Sequence, residues 1–493
     1  MGFGEPGGYW LVRWLFQRGL ALIYLLAFLV AVNQFRPLVG ENGLSPIRQY
    51  VDRRSFAERP SLFFFYPSDR VIGFAAWSGV VLSLVALFGI PGYLPQPFAV
   101  PAAIVVWALL WGLYLSFVNA GQVFYGFGWE SMLLETGFLA IFLGTGNVAA
   151  PVVIIWLLRW VLFRNMFGAG LIKIRGDQCW RDLTCLDYHY ETQPMPNPVS
   201  WFAHHLPDRF HRLEVVGNHI VELAIPFLYF APQPAAALAG IATVVFQGWL
   251  MITGNFSWLN ALTIVLAIST FDDSILGLVL PIAPPTPAPA ALPVWFLVLT
   301  LLVALLVLVL SVRPVRNMLS TGQVMNTAFD PLHLVNTYGA FGSVTKHRFQ
   351  IVIEGTRAAD PGPEDWIEYE FKGQPVKVDK RPPQWAPYHL RLDWQLWFAA
   401  MSPSPRRHPW FNTLLERLLE GDQATVQLLR TNPFPEEPPT YVRAIRYRYE
   451  FTTKAKRKRS GRWWTRERLG TYVGPISRDQ VESRVIVRQQ RFR

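Results

Sequence analysis

The sequence predicts a multi-pass α-helical membrane protein of about eight helices, with seven and nine as bounds, followed by a C-terminal soluble domain of strand-rich α+β type. Three observations predict it. Apolar stretches long enough, or nearly so, to cross about 30 Å of hydrocarbon recur through the first 312 of 493 residues. Charge divides along the same line: residues 1–312 carry 15 Lys plus Arg against 16 Asp plus Glu, and residues 313–493 carry 30 against 18. Beyond Arg313 the hydrophobic pattern changes to the alternation expected of half-buried strands.

Taken in order, the candidate spans are Trp10 to Val32, Val71 to Ile90, Phe98 to Val118, Trp129 to Gly144, Pro151 to Lys173, Glu214 to Phe230, Ala235 to Thr253, Phe256 to Thr270 and Leu292 to Val312. A spanning backbone must satisfy its own hydrogen bonds, which makes these helices. The stretches at Trp129 and Phe256 are short or carry carboxylates, hence the bounds on the count. In the first span an apolar core from Gly19 to Val32 is followed by Asn33, Gln34 and Arg36 without a small-residue cleavage site, which predicts a retained helix. The connector that follows, through Asp69, mixes arginines with aromatics as a membrane-surface segment does. The longest polar interruption of the membrane part runs from Ile174 to Leu213. A proline-rich break, Pro281 to Pro293, introduces the last span.

The division is therefore expected near residue 313, with a polytopic domain over 1–313 and a soluble one over 314–493. In the second part, His347 to Gly355, Trp366 to Gly373 and Tyr441 to Phe451 read as strands. Asp393 to Met401 and Phe411 to Asp422 read as short amphipathic helices, the second stopped at Gly421.

Lys173 is the one lysine among the first 312 residues, and it closes a hydrophobic stretch. The run around it, RNMFGAGLIKIRGDQCWRDLTCLDYHYETQPMPNP (Arg164 to Pro198), also holds both cysteines of the chain. An ionisable group at the end of an apolar helix is costly in or near lipid, which makes it a candidate functional residue; the alternative is a lysine snorkelling to the headgroups. Cys179 and Cys185 lie close enough for a small-loop disulfide if the loop faces an oxidising compartment; two unpaired thiols are the alternative. Four histidines, His189, His204, His205 and His211, share the loop region with His219 just beyond, but no H-E-x-x-H spacing accompanies them and no metal site is expected. Carboxylates within apolar stretches, Glu130, Glu135, Glu222 and Asp272, are expected to pair with Arg159, Arg164 and Lys173. The basic run Lys454 to Trp464 suits anionic headgroups or solvent better than nucleic acid in a chain tethered to a bilayer. No P-loop, G-x-S-x-G or Rossmann fingerprint is present, so nucleotide and serine-hydrolase chemistry have no local support, and no cofactor is expected.

The string RWVLFRNMFGAGLIKIRGDQCWRDLTCLDYHYETQPMPNPVSWFAHHLP (Arg159 to Pro207) resembles the lipase maturation factor family, as do GNFSWLN (Gly254 to Asn260), FDDSILG (Phe271 to Gly277), FDPLHLVNTYGAFGSVTK (Phe329 to Lys346) and APYHLRLDWQLWFAA (Ala386 to Ala400). The resemblance implies a multi-pass membrane protein that helps secreted lipases fold and assemble. It implies an endoplasmic reticulum membrane, or the plasma membrane in a bacterium, with the C-terminal domain and the cysteine loop on the non-cytosolic side. Partners are then secreted client proteins and membrane lipid. Client binding is expected at Arg164, Arg175, Cys179, Trp180, Arg181, Asp182, Cys185, Trp201 and Trp394, by aromatic and arginine anchors and a stapled loop. FGAGLIKI followed by Trp180 is also similar to a motif of the vitamin K-dependent carboxylase and related transmembrane domains, in which the matching lysine is catalytic. That likeness implies an alternative: an integral membrane enzyme acting on a lipid-soluble or peptide substrate, with Lys173 as base, Arg164 and Arg175 holding an anion, and His189 or His205 relaying protons.

Overall fold

The computed structural model describes residues 8–282 and 289–480, so part of the proline-rich break, residues 283–288, lies outside the described residues. Among the described residues, seven helices are long and apolar enough to cross a membrane: Trp10–Val39, Asp69–Leu87, Ala99–Ala120, Val152–Arg175, Asp208–Phe230, Ala235–Thr253 and Val294–Leu319. The two doubtful stretches form shorter helices, Gly128–Ala140 and Leu259–Ala267. Both are buried on nearly every side, which is why they read as apolar without the length to span.

The first helix extends seven residues past the expected Val32 and is buried along its whole length among its neighbours. Gly79 lets the Asp69–Leu87 helix approach it closely, since a Cβ there would strike the Phe28 ring. At the other extreme, the Val294–Leu310 helix buries only Phe296, Thr300, Val303 and Val307, a single stripe at helical spacing. It is tied to the bundle where the Trp160 indole donates to Ser311 Oγ at 2.9 Å. The Asp208–Phe230 span is not uniform. Its α-helical part ends at His219, a π turn covers Ile220–Ala224, and a tight 3₁₀ stretch covers Ile225–Phe230. Pro226 lacks the N–H that would continue the α ladder, which accounts for the change of pitch after that turn.

Beyond the last span the chain builds a four-stranded antiparallel sheet in the order β2-β1-β5-β6, from β1 (Arg348–Thr356), β2 (Ile367–Glu368), β5 (Tyr441–Phe451) and β6 (Trp464–Ser477), while β3 (Glu370–Phe371) pairs with β4 (Leu429–Thr431). The helix Arg391–Met401 packs on β1, and the helix Pro409–Glu420, which buries Phe411, Leu414, Leu415 and Leu418, packs on β5. Gly421, at φ 68°, ends that helix in the left-handed conformation that favours glycine. Strand β6 was not expected, because its face is largely exposed and charged; the basic run before it forms the helix Lys454–Ser460.

One buried ion pair bolts the sheet part to the helical part, and a second, inside the helical part, anchors the segment that leads to the sheet. Arg391 donates to Glu130 Oε1 at 2.8 Å, with neither side chain exposed, and Tyr114 and His389 complete the cluster. Gln34 accepts from the Arg391 N–H at 3.0 Å and donates to the His389 carbonyl at 2.7 Å. In the second pair Arg164 grips Glu135, whose carboxylate also accepts from the Tyr338 hydroxyl at 2.6 Å and the Asn336 N–H at 3.0 Å.

Candidate functional site

The interval from Ile174 to Leu213 is less of a loop than its polarity suggests. Three short helices, Gln178–Arg181, Leu186–Thr192 and Ser200–His204, fold it across one end of the bundle, and the next span already begins at Asp208. Cys179 and Cys185 are joined as a disulfide, both buried. The staple closes a turn around Trp180, whose indole donates to the Phe341 carbonyl at 2.8 Å, so the loop is sewn to the segment that leaves the last span. Arg348 of β1 holds the far end, donating to the carbonyls of Gln193 and Glu191 at 2.5 and 3.3 Å. The Trp201 indole donates to the Thr452 carbonyl at 2.9 Å.

Lys173 does not reach for the headgroups. It is 5% exposed, and its Nζ donates to Glu222 Oε1 at 2.6 Å and to Asn218 Oδ1 at 2.8 Å. The Asn218 amide donates in turn to Glu222 Oε2 at 3.1 Å, and the Trp180 ring caps the ammonium at 4.9 Å. Asn218 and Glu222 stand four residues apart, on one helix face, and Glu222 lies in the π turn. The extra residue in such a turn re-aims side chains locally, a device common at functional sites.

This ion pair forms part of the wall of a cavity of about 80 Å³ between the Val152–Arg175, Asp208–Phe230 and Ala235–Thr253 helices and the loop. A second cavity of about 310 Å³ lies between Trp129 and the Arg391–Met401 helix. Asn165, His189, Gln193, Leu259, Ala340 and Phe341 belong to both walls, so the two cavities adjoin as neighbouring lobes. Burial, reinforced by the Lys173 charge, pushes the His189 imidazole down to about 4 and leaves it neutral near pH 7. Neither of its ring nitrogens has a hydrogen-bond partner among the described residues. Burial likewise pushes His204 to about 4, and pushes the Glu191 carboxyl up to about 7 although the Phe451 N–H donates to it at 2.5 Å.

The expected site residues separate into groups. Lys173, Trp180 and His189 come together at the cavity. His205 does not: its Nδ1 contacts the Trp201 carbonyl at 2.7 Å and its ring packs against that indole, outside either cavity wall, so it is not placed to relay protons for Lys173. Arg164 and Arg175 are not placed as anion holders either. Arg164 is neutralised by Glu135, and Arg175 donates to the Met318 and Ser320 carbonyls at 2.7 and 3.1 Å. Of the residues expected to meet a client, Arg175, Arg181 and Asp182 are exposed. Arg164, Cys179, Trp180, Cys185, Trp201 and Trp394 are buried. A buried tryptophan and a surface anchor carry the same signature in sequence, and here the interior contacts win. Asn218 and Gln193 were missed as site residues, with only their polarity in an apolar context to signal them. Among the described residues no group of three metal-ligating side chains comes together.

A multi-pass helical membrane protein whose end is roofed by a disulfide-stapled loop and an antiparallel-sheet domain is the class that this fold and site define. The Lipase maturation factor transmembrane domain matches residues 11–278, and the Lipase maturation factor C-terminal domain matches residues 334–474. The chain belongs to the lipase maturation factor family. It is 41% identical to Lipase maturation factor 1 of Homo sapiens over 509 residues, covering 97% of this chain and 90% of that protein. It is 42% identical to the Bos taurus protein of the same name over 524 residues, covering 98% and 92%. To Lipase maturation factor 2 of Homo sapiens it is 30% identical over 611 residues, covering 97% and 84%. No solved structure matches the chain.

Proposed function

We propose that this protein is a membrane-anchored maturation factor that assists the folding and assembly of secreted proteins, with lipases as its clients. The observation that carries the reading is the stapled loop, held against the sheet domain by Arg348 and Trp201, with Arg175, Arg181 and Asp182 exposed on it. The names of the relatives supply the client class. A disulfide persists in an oxidising compartment, which supports a lumenal or otherwise non-cytosolic position for the loop and the sheet domain, in the endoplasmic reticulum or, in a bacterium, the plasma membrane. On this reading the polytopic domain spans about residues 1–313 and the soluble domain about 314–493.

The test is secretion of an active, co-expressed lipase from cells without a maturation factor of their own, scored together with the abundance of the factor. Cys179→Ser and Cys185→Ser are expected to abolish lipase maturation, and Arg181→Glu to weaken it, at unchanged abundance. Full activity of the cysteine variants would sink the reading.

One observation favours the enzymatic alternative: Lys173 stands in a cavity wall beside His189. Its nitrogen, however, is already engaged by Glu222 Oε1 and Asn218 Oδ1, the arrangement of a structural ion pair. Lys173→Arg separates the readings, because a paired cation tolerates the exchange and a catalytic base does not.

A further inference from the structure

The two-lobed space has an uneven chemistry. The lobe between Trp129 and the Arg391–Met401 helix is lined by Trp394, Trp397, Phe398 and Met401 among others, with no Asp, Glu, Lys or Arg in its wall. The lobe beside Lys173 holds three charged residues, and each is already engaged. Lys173 pairs with Glu222, while Glu214 accepts from the Tyr190 hydroxyl and the Trp249 indole, both at 2.8 Å, and meets His211 Nδ1 at 3.1 Å. No cation is left over for a phosphate or a carboxylate. Where the lobes join, the neutral His189 ring offers one donor and one acceptor, both unused.

The location adds a direction of entry. Lys173 lies near the end of its helix, so the first lobe sits near the headgroup end of the bundle. Phe246, Trp249 and Leu250 line it from the Ala235–Thr253 helix and are only half-buried, and the same helix exposes Leu238, Ile241, Val245 and Ile252 outward as a lipid-facing helix does. A ligand arriving sideways from the bilayer would meet polar groups first and a charge-free aromatic lobe beyond them.

We propose that the two adjoining lobes are continuous and together bind an uncharged single-chain lipid of the monoacylglycerol class, its hydroxyl-bearing head beside His189 and its acyl chain in the lobe under Trp394. The site belongs to the fold and does not depend on which proteins the chain matures. With cavities of about 80 and 310 Å³, the space lies at the lower end of small-molecule pockets, roughly 300–1,000 Å³ per ligand, which suits one chain better than two.

The test uses the full chain in phosphatidylcholine nanodiscs and a monoacylglycerol with a diazirine in its acyl chain, with labelled residues mapped by mass spectrometry. Label is expected on the Arg391–Met401 helix, and excess unlabelled monoacylglycerol should remove it where oleate and phosphatidic acid do not. Ala340→Phe, which narrows the junction of the lobes, should lower that label by about tenfold at an unchanged thermal midpoint. If that variant does not fold, Met401→Trp fills the second lobe in its place. Label confined to outward residues such as Val245 and Leu305, label unaffected by either variant, or equal competition by oleate would each overturn the proposal.

Discussion

Glu130→Gln is expected to loosen the sheet domain from the membrane helices without unfolding either. The Glu130–Arg391 pair is wholly buried, at 2.8 Å and with both side chains at 0% exposure. Arg391 also lies over the Tyr125 ring at 3.3 Å and donates to the Phe124 carbonyl at 2.8 Å, so the guanidinium stays caged when its counter-charge is gone. Breaking such a pair by removing one partner costs about 3–5 kcal/mol, because the remaining charge is left buried and uncompensated. A guanidinium cannot relieve itself by losing a proton, so Glu130→Gln belongs at the upper end of that range and Arg391→Met at the lower. In local-opening equilibria this amounts to a loss of protection of roughly two to four orders of magnitude. The amide to follow is that of Arg391, which donates to Gln34 Oε1 across the interface at 3.0 Å. Hydrogen exchange of peptides covering residues 386–401 reports it directly. The double variant Glu130→Gln, Arg391→Met should recover most of the protection, since a neutral, well-filled interface leaves no stranded charge. Protection within about threefold of the parent in both single variants would refute the argument.

Three further outcomes follow from the same geometry. Glu222→Gln leaves the Lys173 ammonium buried against neutral partners and should lower the thermal midpoint of the full chain in detergent, with Lys173→Met in the same chain restoring it; equal midpoints for single and double variants would show that the pair is not coupled. Cys179→Ser should free the turn around Trp180 at a cost of about 2 kcal/mol for so short a loop, seen as faster exchange over residues 178–187 and a change in Trp180 emission; an unchanged turn would mean that the Phe341 carbonyl alone holds the indole. Burial lifts the Glu191 carboxyl from 4.5 to about 7, so between those values the folded chain binds the extra proton. Its contribution is therefore greatest below pH 4.5 and is lost as pH rises through 7, on the order of 3 kcal/mol in all. The thermal midpoint should fall from pH 5 to pH 8 in the parent and less steeply in Glu191→Gln; parallel profiles would assign the dependence to other groups.

Much of this arrangement is legible in the amino-acid sequence. Hydrophobic run length finds the spans, and a lone lysine at the end of one is conspicuous because lipid tolerates so few charges. The pairing was legible only as a shortlist: Glu130, Glu135 and Glu222 stand out as carboxylates in apolar stretches, but Arg391, the partner of Glu130, lies 261 positions away and no local pattern connects them. Strand β6 escaped because an edge strand with one solvated, charged face lacks the alternation that marks its neighbours. Trp201 and Trp394 were misplaced at the surface for a different reason. A tryptophan beside polar residues reads equally as anchor or as core, and only the carbonyl of Thr452 waiting for one indole, and the aromatic ring of Trp129 packed on the other, decide it.

The ion pair between Glu130 and Arg391 also sets an order in time. A ribosome adding about 5–20 residues per second needs roughly 13–50 s to travel the 261 positions between them. Throughout that interval the inserted helices hold a carboxylate with no counter-charge, and even after the last span ends at Leu319 the bundle is unfinished. Completion waits for the downstream polypeptide, so a chain interrupted after Leu319 would carry a permanent mark of incompleteness in its interior. Such a species is expected to be short-lived in a pulse-chase experiment, and Glu130→Leu in the truncated chain should lengthen its life.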